Sequence, residues 1–246
     1  MKPVRIFSTD LDGTVVGDNA ATARFRDFWQ SLPDENRPLL VFNSGRLLDD
    51  QFELMEQVPL PSPDYVIGGV GTMMSCREKP SLQQTYTSSL GQAFDTAKIS
   101  SLISDVPGIS IQPERYQHGL KSSWYLDNAS EADLSRLEKQ LSDSEIDARI
   151  VYSSNRDLDI LPRSADKGAA IRWLCDHLSI GLDEVAVAGD TGNDKAMFEL
   201  SGVRGIIVAN ALPELKALAV KQSHAYLALE KEADGVISGL KHWMSI

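Results

Sequence analysis

Short apolar runs, each stopped by a polar turn and followed by residues at helical spacing, dominate both ends of this chain. Val4, Ile6 and Phe7 read as a short buried strand that ends at Ser8-Thr9-Asp10-Leu11-Asp12-Gly13-Thr14, with Gly13 punctuating a turn. Phe25, Phe28, Trp29 and Leu32 then recur at helical spacing, with Asp18 or Asn19 as the N-cap, and this stripe reads as core. A second run, Leu39-Leu40-Val41-Phe42, stops at Asn43-Ser44-Gly45-Arg46 and precedes a helical stretch carrying Leu47, Leu48, Phe52 and Met55. A third, Tyr65-Val66-Ile67, ends in Gly68-Gly69-Val70-Gly71-Thr72, whose glycines let a backbone approach a ligand closely. Strand, polar turn and helix repeat, as in a parallel α/β sheet.

From about residue 78 to about 162 the apolar segments become shorter and more alternating, and Ser and Gln become frequent. This predicts a separate α+β unit, with strands over 83–88, 122–126 and 148–152 and helices near 95–104 and 131–141. The strand-then-helix alternation returns after Pro162. Ala170, Ile171, Leu174 and Leu178 give a helical face, and Val185-Ala186-Val187-Ala188 and Ile206-Ile207-Val208 read as buried parallel strands. The expected organisation is a core domain split into 1–77 and 163–246, with 78–162 inserted between its halves.

Composition narrows the possible chemistry. With 246 residues, 42% of them hydrophobic, the chain can bury a sizeable core, which excludes collagenous, disordered and disulfide-rich classes. Lys and Arg number 24 against 35 Asp and Glu, and the net charge of -11 repels a nucleic-acid backbone. An anionic substrate would need positive charge concentrated locally, by a metal ion, a lysine or helix N-termini. Cys76 and Cys175 lie far apart without metal-type spacing and read as buried apolar residues in a reduced compartment. Met1-Lys2-Pro3-Val4 runs straight into the first strand, leaving no room for a signal peptide, and no apolar run approaches ~20 residues. A cytoplasmic protein with no membrane or nucleic-acid partner is expected.

Each strand end of the split domain offers a different polar group. The first gives Asp10 and Asp12, which in extended geometry face the same side and could reach one reacting centre. Taken alone, that stretch could also be an Asp-rich surface turn. The second gives Ser44, which by itself could be a helix N-cap. The helix after the insertion starts at Asp166-Lys167-Gly168, and the strand at 185–188 leads into Gly189-Asp190-Thr191-Gly192-Asn193-Asp194. Carboxylates at the carboxyl ends of strands lie where an open α/β sheet places its chemistry, and the four signals in this order converge on one site.

These four motifs resemble, in sequence and order and across the whole chain, the haloacid dehalogenase (HAD) superfamily of aspartate-nucleophile phosphohydrolases. The insertion between Ser44 and Lys167 resembles the large cap of the sugar-phosphatase branch. DLDGTVVGDN, PDYVIGGVGT, LKSSWYL and DLDILPRSADKGAA resemble the sucrose-phosphate phosphatase type. The resemblance implies a Rossmann-like parallel-sheet HAD core with an inserted α+β cap, Mg²⁺ as cofactor and a small-molecule sugar phosphate as substrate. It implies a disaccharide phosphate in particular, mannosylfructose 6-phosphate first and sucrose 6-phosphate or a broader sugar phosphate as the alternative. It also implies association with a cognate glycosyltransferase, the synthase that supplies such a substrate.

Residue by residue, the resemblance makes Asp10 the nucleophile and Asp12 the general acid and base. The metal is held by Asp10, Asp190 and the Asp12 backbone carbonyl, with Asp194 just behind them. Ser44, Gly45, Lys167 and Asn193 bind phosphate; Ser44 stands where many relatives carry Thr, and the hydroxyl is kept. Arg46, His118, Lys121, Ser123, Asp157 and Asp159 are the candidates for sugar contacts. The chemistry is sound on its own terms. Phosphate monoesters hydrolyse so slowly that accelerations up to about 10²¹ are known, which favours covalent catalysis with a separate proton carrier. Hard oxygen ligands suit Mg²⁺. A phospho-receiver module shares an Asp, a hydroxyl and a Lys but needs no leaving-group acid, and a phosphomutase would use the same aspartate pair.

Overall fold

Strands buried on both faces need helices on either side, and the apolar runs obtain them in the computed structural model, which describes residues 2–91, 94–219 and 224–246. The first half of the main sheet comprises β1 (Ile6–Thr9), α1 (Asn19–Ser31), β2 (Leu39–Asn43), α2 (Leu48–Gln57), β3 (Tyr65–Gly68), β4 (Met73–Ser75) and α3 (Leu82–Ser89). Asp18 caps α1 by accepting from Ala20 N and Ala21 N, and the helix buries Phe25 and Trp29 against Phe7 of β1. The inserted unit follows: α4 (Thr96–Ile103), β5 (Ile109–Ile111), β6 (Ser122–Leu126), α5 (Glu131–Asp143), β7 (Ala148–Ser153) and β8 (Asp157–Pro162). The chain then returns through α6 (Lys167–Leu178), β9 (Val185–Gly189), α7 (Lys195–Phe198), β10 (Arg204–Ile207), α8 (Pro213–Ala219), β11 (Ala225–Leu227) and α9 (Glu232–Met244).

The main sheet has seven strands in the order β11-β10-β9-β1-β2-β3-β4, parallel except for β4. Its strand order reverses beside β1, which pairs with β9 on one side and β2 on the other. Thr9 is level with Phe42 of β2 and with Ala188 of β9. Consequently Asp10, Ser44 and Asp190 leave the sheet side by side at its carboxyl edge, the switch point where open α/β sheets bind ligands.

The inserted unit has its own antiparallel sheet, β5-β6-β8-β7, and its own apolar cluster containing Ile99, Ile103, Trp124, Leu137, Leu141, Leu158 and Ile160. One sequence expectation is overturned. Residues 83–88 form a helix, not a strand: Leu82, Tyr86 and Leu90 are buried while Gln84 and Ser88, which would share their face in a strand, are exposed. Thr85 and Thr87 favour a strand by propensity alone, and the burial pattern overrides it. Leu82, Tyr86 and Leu90 pack into the cluster of the main sheet, although they lie within 78–162. Cys76 and Cys175 are both buried free thiols. Among the described residues no helix is long and apolar enough to cross a membrane.

Candidate active site

Lys167 is the centre of the site. It opens α6 behind Asp166, whose side chain caps the helix by accepting from Ala169 N at 2.6 Å. The lysine is fully buried, and its Nζ donates to Asp10 Oδ1 and to Asp194 Oδ1, each at 2.6 Å. Burial alone would lower the ammonium's pKa, but the two carboxylates outweigh it and hold the group above the usual lysine value. Asn43, at the end of β2, donates to Lys167 O at 3.0 Å and ties the second strand to the same helix start.

The Asp190 turn is folded around Asp194. Asp194 Oδ2 accepts from Asp190 N at 2.9 Å and Thr191 N at 3.0 Å, so this fully buried carboxylate aligns the turn while its other oxygen holds Lys167. Asp190 Oδ1 accepts from Thr14 Oγ1 at 3.2 Å. Gly13, at φ +75°, lies so close to Asp190 that a Cβ there would overlap its carboxylate. Oxygens of Asp10, Asp190 and Asp194 all lie within 4.8 Å of one another. Burial pushes Asp10 up to about 7 against the pull of Lys167, and burial reinforced by Asp10 and Asp194 pushes Asp190 up to about 8.

Asp12 is in a different environment. Its carboxylate is about half exposed and receives a fork from Arg46, Nε to Oδ2 at 2.7 Å and Nη2 to Oδ1 at 2.9 Å. Arg46 Nη1 also reaches Asp50 at 3.0 Å, and the Asp12 hydrogen bonds raise the guanidinium's pKa. Ser44 is buried and caps no helix: its Oγ accepts from Arg46 N at 3.2 Å within the turn.

The glycine-rich loop after β3 approaches protein, not open space. Gly69 N donates to Arg46 O at 2.8 Å and Val70 N to Ser44 O at 3.1 Å, which braces the Ser44–Arg46 turn. Val70 is held at φ 57°, rare for a β-branched residue. A Cβ on Gly71 would overlap the Asp166 carbonyl.

A cleft of about 660 Å³ joins this site to the inserted unit. Asp10, Asp12, Ser44, Gly45, Arg46, Asp190 and Asn193 form its floor, and Lys121, Asp157 and Asp159 line its roof. Lys121 Nζ is buried between Ser123 Oγ at 2.5 Å and Asp159 Oδ1 at 2.9 Å, and Ser123 Oγ donates to the same oxygen at 2.7 Å. His118 is not brought into this wall. It pairs through its backbone with Lys121, and its Nδ1 accepts from Leu120 N at 3.3 Å in its own turn; burial and Lys121 lower its pKa. The sequence reading missed Gln112, Arg115, Tyr125 and Arg156, which also line the cleft. They come from three separate segments and carry no motif that could have flagged them.

A doubly wound sheet with acidic and basic groups at its switch point, under an inserted antiparallel cap, is the architecture of HAD-type phosphatases. The fold aligns over 99% of this chain and 100% of a HAD subclass IIB sugar phosphatase, with a TM-score of 0.69 at 14% identity. The model of the Sucrose-6F-phosphate phosphohydrolase family matches residues 3–244, and the chain belongs to that family. It is 62% identical to mannosylfructose-phosphate phosphatase from Agrobacterium fabrum over 243 residues, covering 99% of this chain and 98% of that protein. The sucrose-phosphatase of Synechocystis sp. PCC6803, solved with sucrose and phosphate, superposes with a TM-score of 0.89 at 28% identity, covering 99% of this chain and 98% of that one.

Proposed function

We propose that this protein is a Mg²⁺-dependent phosphatase that hydrolyses a disaccharide phosphate, mannosylfructose 6-phosphate before others, through an aspartyl-phosphate. The observation that carries the chemistry is the buried Asp10–Lys167–Asp194 chain beside an exposed, Arg46-bound Asp12. It gives two neighbouring acids two different tasks. The identity of 62% to a mannosylfructose-phosphate phosphatase supports the substrate, and the likeness to a sucrose-phosphatase structure favours sucrose 6-phosphate as the second reading.

Asp10 attacks phosphorus as the bond to the sugar oxygen breaks, and Asp12 gives that oxygen its proton. Water then attacks the aspartyl-phosphate, Asp12 takes the water's proton, and the bond between phosphorus and the Asp10 oxygen breaks to free phosphate. Arg46 orients Asp12 through its fork, while Lys167, the Ser44 hydroxyl, Gly45 and Asn193 hold the transferring group.

The donor set fits a divalent cation. Asp10, Asp190 and Asp194 set three potential negative charges against the one of Lys167. Ionised together they leave two charges uncompensated, and burial, reinforced by their mutual repulsion, raises the Asp10 and Asp190 pKa values. Mg²⁺ held by Asp10, Asp190 and the Asp12 carbonyl, with Asp194 behind, would supply that charge and polarise the phosphoryl oxygens.

Lys121, Asp157 and Asp159 present the sugar-facing polar surface of the cap, and Ser123 holds Lys121 and Asp159 from behind. We assign the core to 1–77 and 163–246 and the cap to 78–162, with α3 packed on the core so that the cap proper starts beyond Leu90. A substrate of this class is made by glycosyl transfer to a sugar phosphate, so association with the cognate synthase belongs to the same reading.

The experiment is phosphate release from mannosylfructose 6-phosphate, sucrose 6-phosphate and glucose 6-phosphate with Mg²⁺. The expected result is a kcat/KM for mannosylfructose 6-phosphate at least about tenfold above the others, or about 1.4 kcal/mol of discrimination. Preference for the simple hexose phosphate overturns the disaccharide assignment.

A further inference from the structure

The strand β7, Ala148-Arg149-Ile150-Val151-Tyr152-Ser153, keeps different company on its two faces. Alternate residues of a strand point to opposite sides of the sheet. Ile150 and Tyr152 pack into the cap cluster. On the other face, Val151 packs against the cluster of the core, Ser153 is buried in the cleft wall, and Arg149 is ion-paired with Asp166. β7 is the edge of the cap sheet and pairs with β8. An edge strand of the cap is thus seated on the core along its odd-numbered residues.

Both ends of this seat rest on main chain that holds the catalytic charges. At one end, Asp166 uses one carboxylate oxygen to cap α6 at Ala169 N and the other to meet Arg149, and Lys167 is the next residue. At the other end, Tyr152 O lies so near Gly192 that a Cβ there would stand 2.9 Å from it, and Asn193 and Asp194 follow directly. The two segments meet through Lys167 Nζ and Asp194 Oδ1 at 2.6 Å. Gly168 adds to this, since a Cβ on it would overlap the Ala196 carbonyl. β7 therefore spans the two segments whose alignment sets the position of Lys167.

We infer that Arg149 is a positioning residue for phosphoryl transfer: with β7 seated on the core, it holds Asp166, fixes the first turn of α6 and so aims Lys167 Nζ at the reacting group. The inference rests on the phosphatase reading of the site and makes the cap a part of the catalytic alignment as well as its roof. Gly192 is the residue that lets the far end of the strand settle.

The test is a double-mutant cycle of Arg149→Gln and Asp166→Asn, with Arg149→Lys as the conservative variant. Asparagine is as good an N-cap as aspartate, so Asp166→Asn removes the charge and keeps the cap. The readouts are kcat and KM for whichever phosphate ester the wild-type protein turns over best. Each single variant is expected to lower kcat at least about fivefold with KM within about twofold, and the double variant to be no slower than the worse single. Arg149→Lys should recover most of the loss. Fully additive losses, an unchanged kcat or an effect on KM alone overturn the inference. A second readout needs no substrate: amide hydrogen exchange at residues 169–171 is expected to quicken in Arg149→Gln, and unchanged protection counts against the proposal. Should the wild-type protein hydrolyse no phosphate ester, the proposed function fails while the exchange measurement still decides the Arg149 contact.

Discussion

Asp10 and Asp12 are two residues apart in sequence and are governed by opposite physics. Asp10 is buried, and its side chain depends on Lys167 at 2.6 Å to remain a carboxylate. Asp12 is half exposed, and the Arg46 guanidinium holds both of its carboxylate oxygens. Asp10→Asn keeps the shape and removes the nucleophilic charge. It is expected to cut turnover on the order of 10⁴-fold or more with Mg²⁺ saturating, measured as single-turnover phosphate release; residual activity above a hundredth of wild type sinks the nucleophile assignment. The residues of the core site were legible because each terminates an apolar run or opens a helix, positions that a linear reading can find. Arg115, Tyr125 and Arg156 were not, since they become neighbours only when three cap segments fold over the cleft.

At the level of elements, the loop 68–72 and α3 act together. The loop's glycines allow close backbone approach, and its backbone braces Ser44 and Arg46 and closes over Asp166. Its anchor is Tyr86, whose hydroxyl donates to Gly71 O at 2.5 Å from α3, the helix that the sequence pattern had suggested as a strand. The four-residue spacing of Leu82, Tyr86 and Leu90 suits a strand face as well as a helix, and the exposure of Gln84 and Ser88 between them decides for the helix. Gly71 stands at φ +88°, which disfavours any Cβ, and has no room for one. Gly71→Ala should therefore destabilise the protein by at least about 2 kcal/mol, a drop in melting temperature of roughly 4–8 °C. A circular-dichroism melt with less than about 1 °C of change would show that the loop is not under this constraint.

Across the whole molecule, a protein of net charge -11 places Lys167 and Arg46 at one sheet edge, beside the carboxylates of the proposed cation site. Without a cation, Asp10 and Asp190 are raised from 3.8 to about 7 and about 8. A carboxyl whose folded pKa is raised binds more protons folded than unfolded, so its share of stability is present at low pH and is lost as pH rises through the folded value. Mg²⁺ must displace those protons, so its apparent affinity falls as pH drops below about 8. Saturating Mg²⁺, at about a hundred times its Kd, adds about 2.7 kcal/mol, or roughly 5–10 °C in melting temperature at this size. Thermal-shift titrations should show that full rise near pH 8.5 and a smaller one at equal Mg²⁺ near pH 6; equal shifts at both pH values would exclude metal binding by these carboxylates.

The sequence by itself determined the alternating strands and helices, the split of the core around an insertion, and which acids, hydroxyl and lysine stand at strand ends. Periodicity and turn chemistry are local, and a strand end is where a side chain is free to face a ligand. Only the tertiary structure decided what each of these groups feels: Asp10 buried against Lys167, Asp12 held by Arg46, Lys121 buried with Ser123 and Asp159, and β7 laid across the core from Asp166 to Gly192. Charge, burial and proximity come from residues far apart in the chain, and the packing of cap on core creates them.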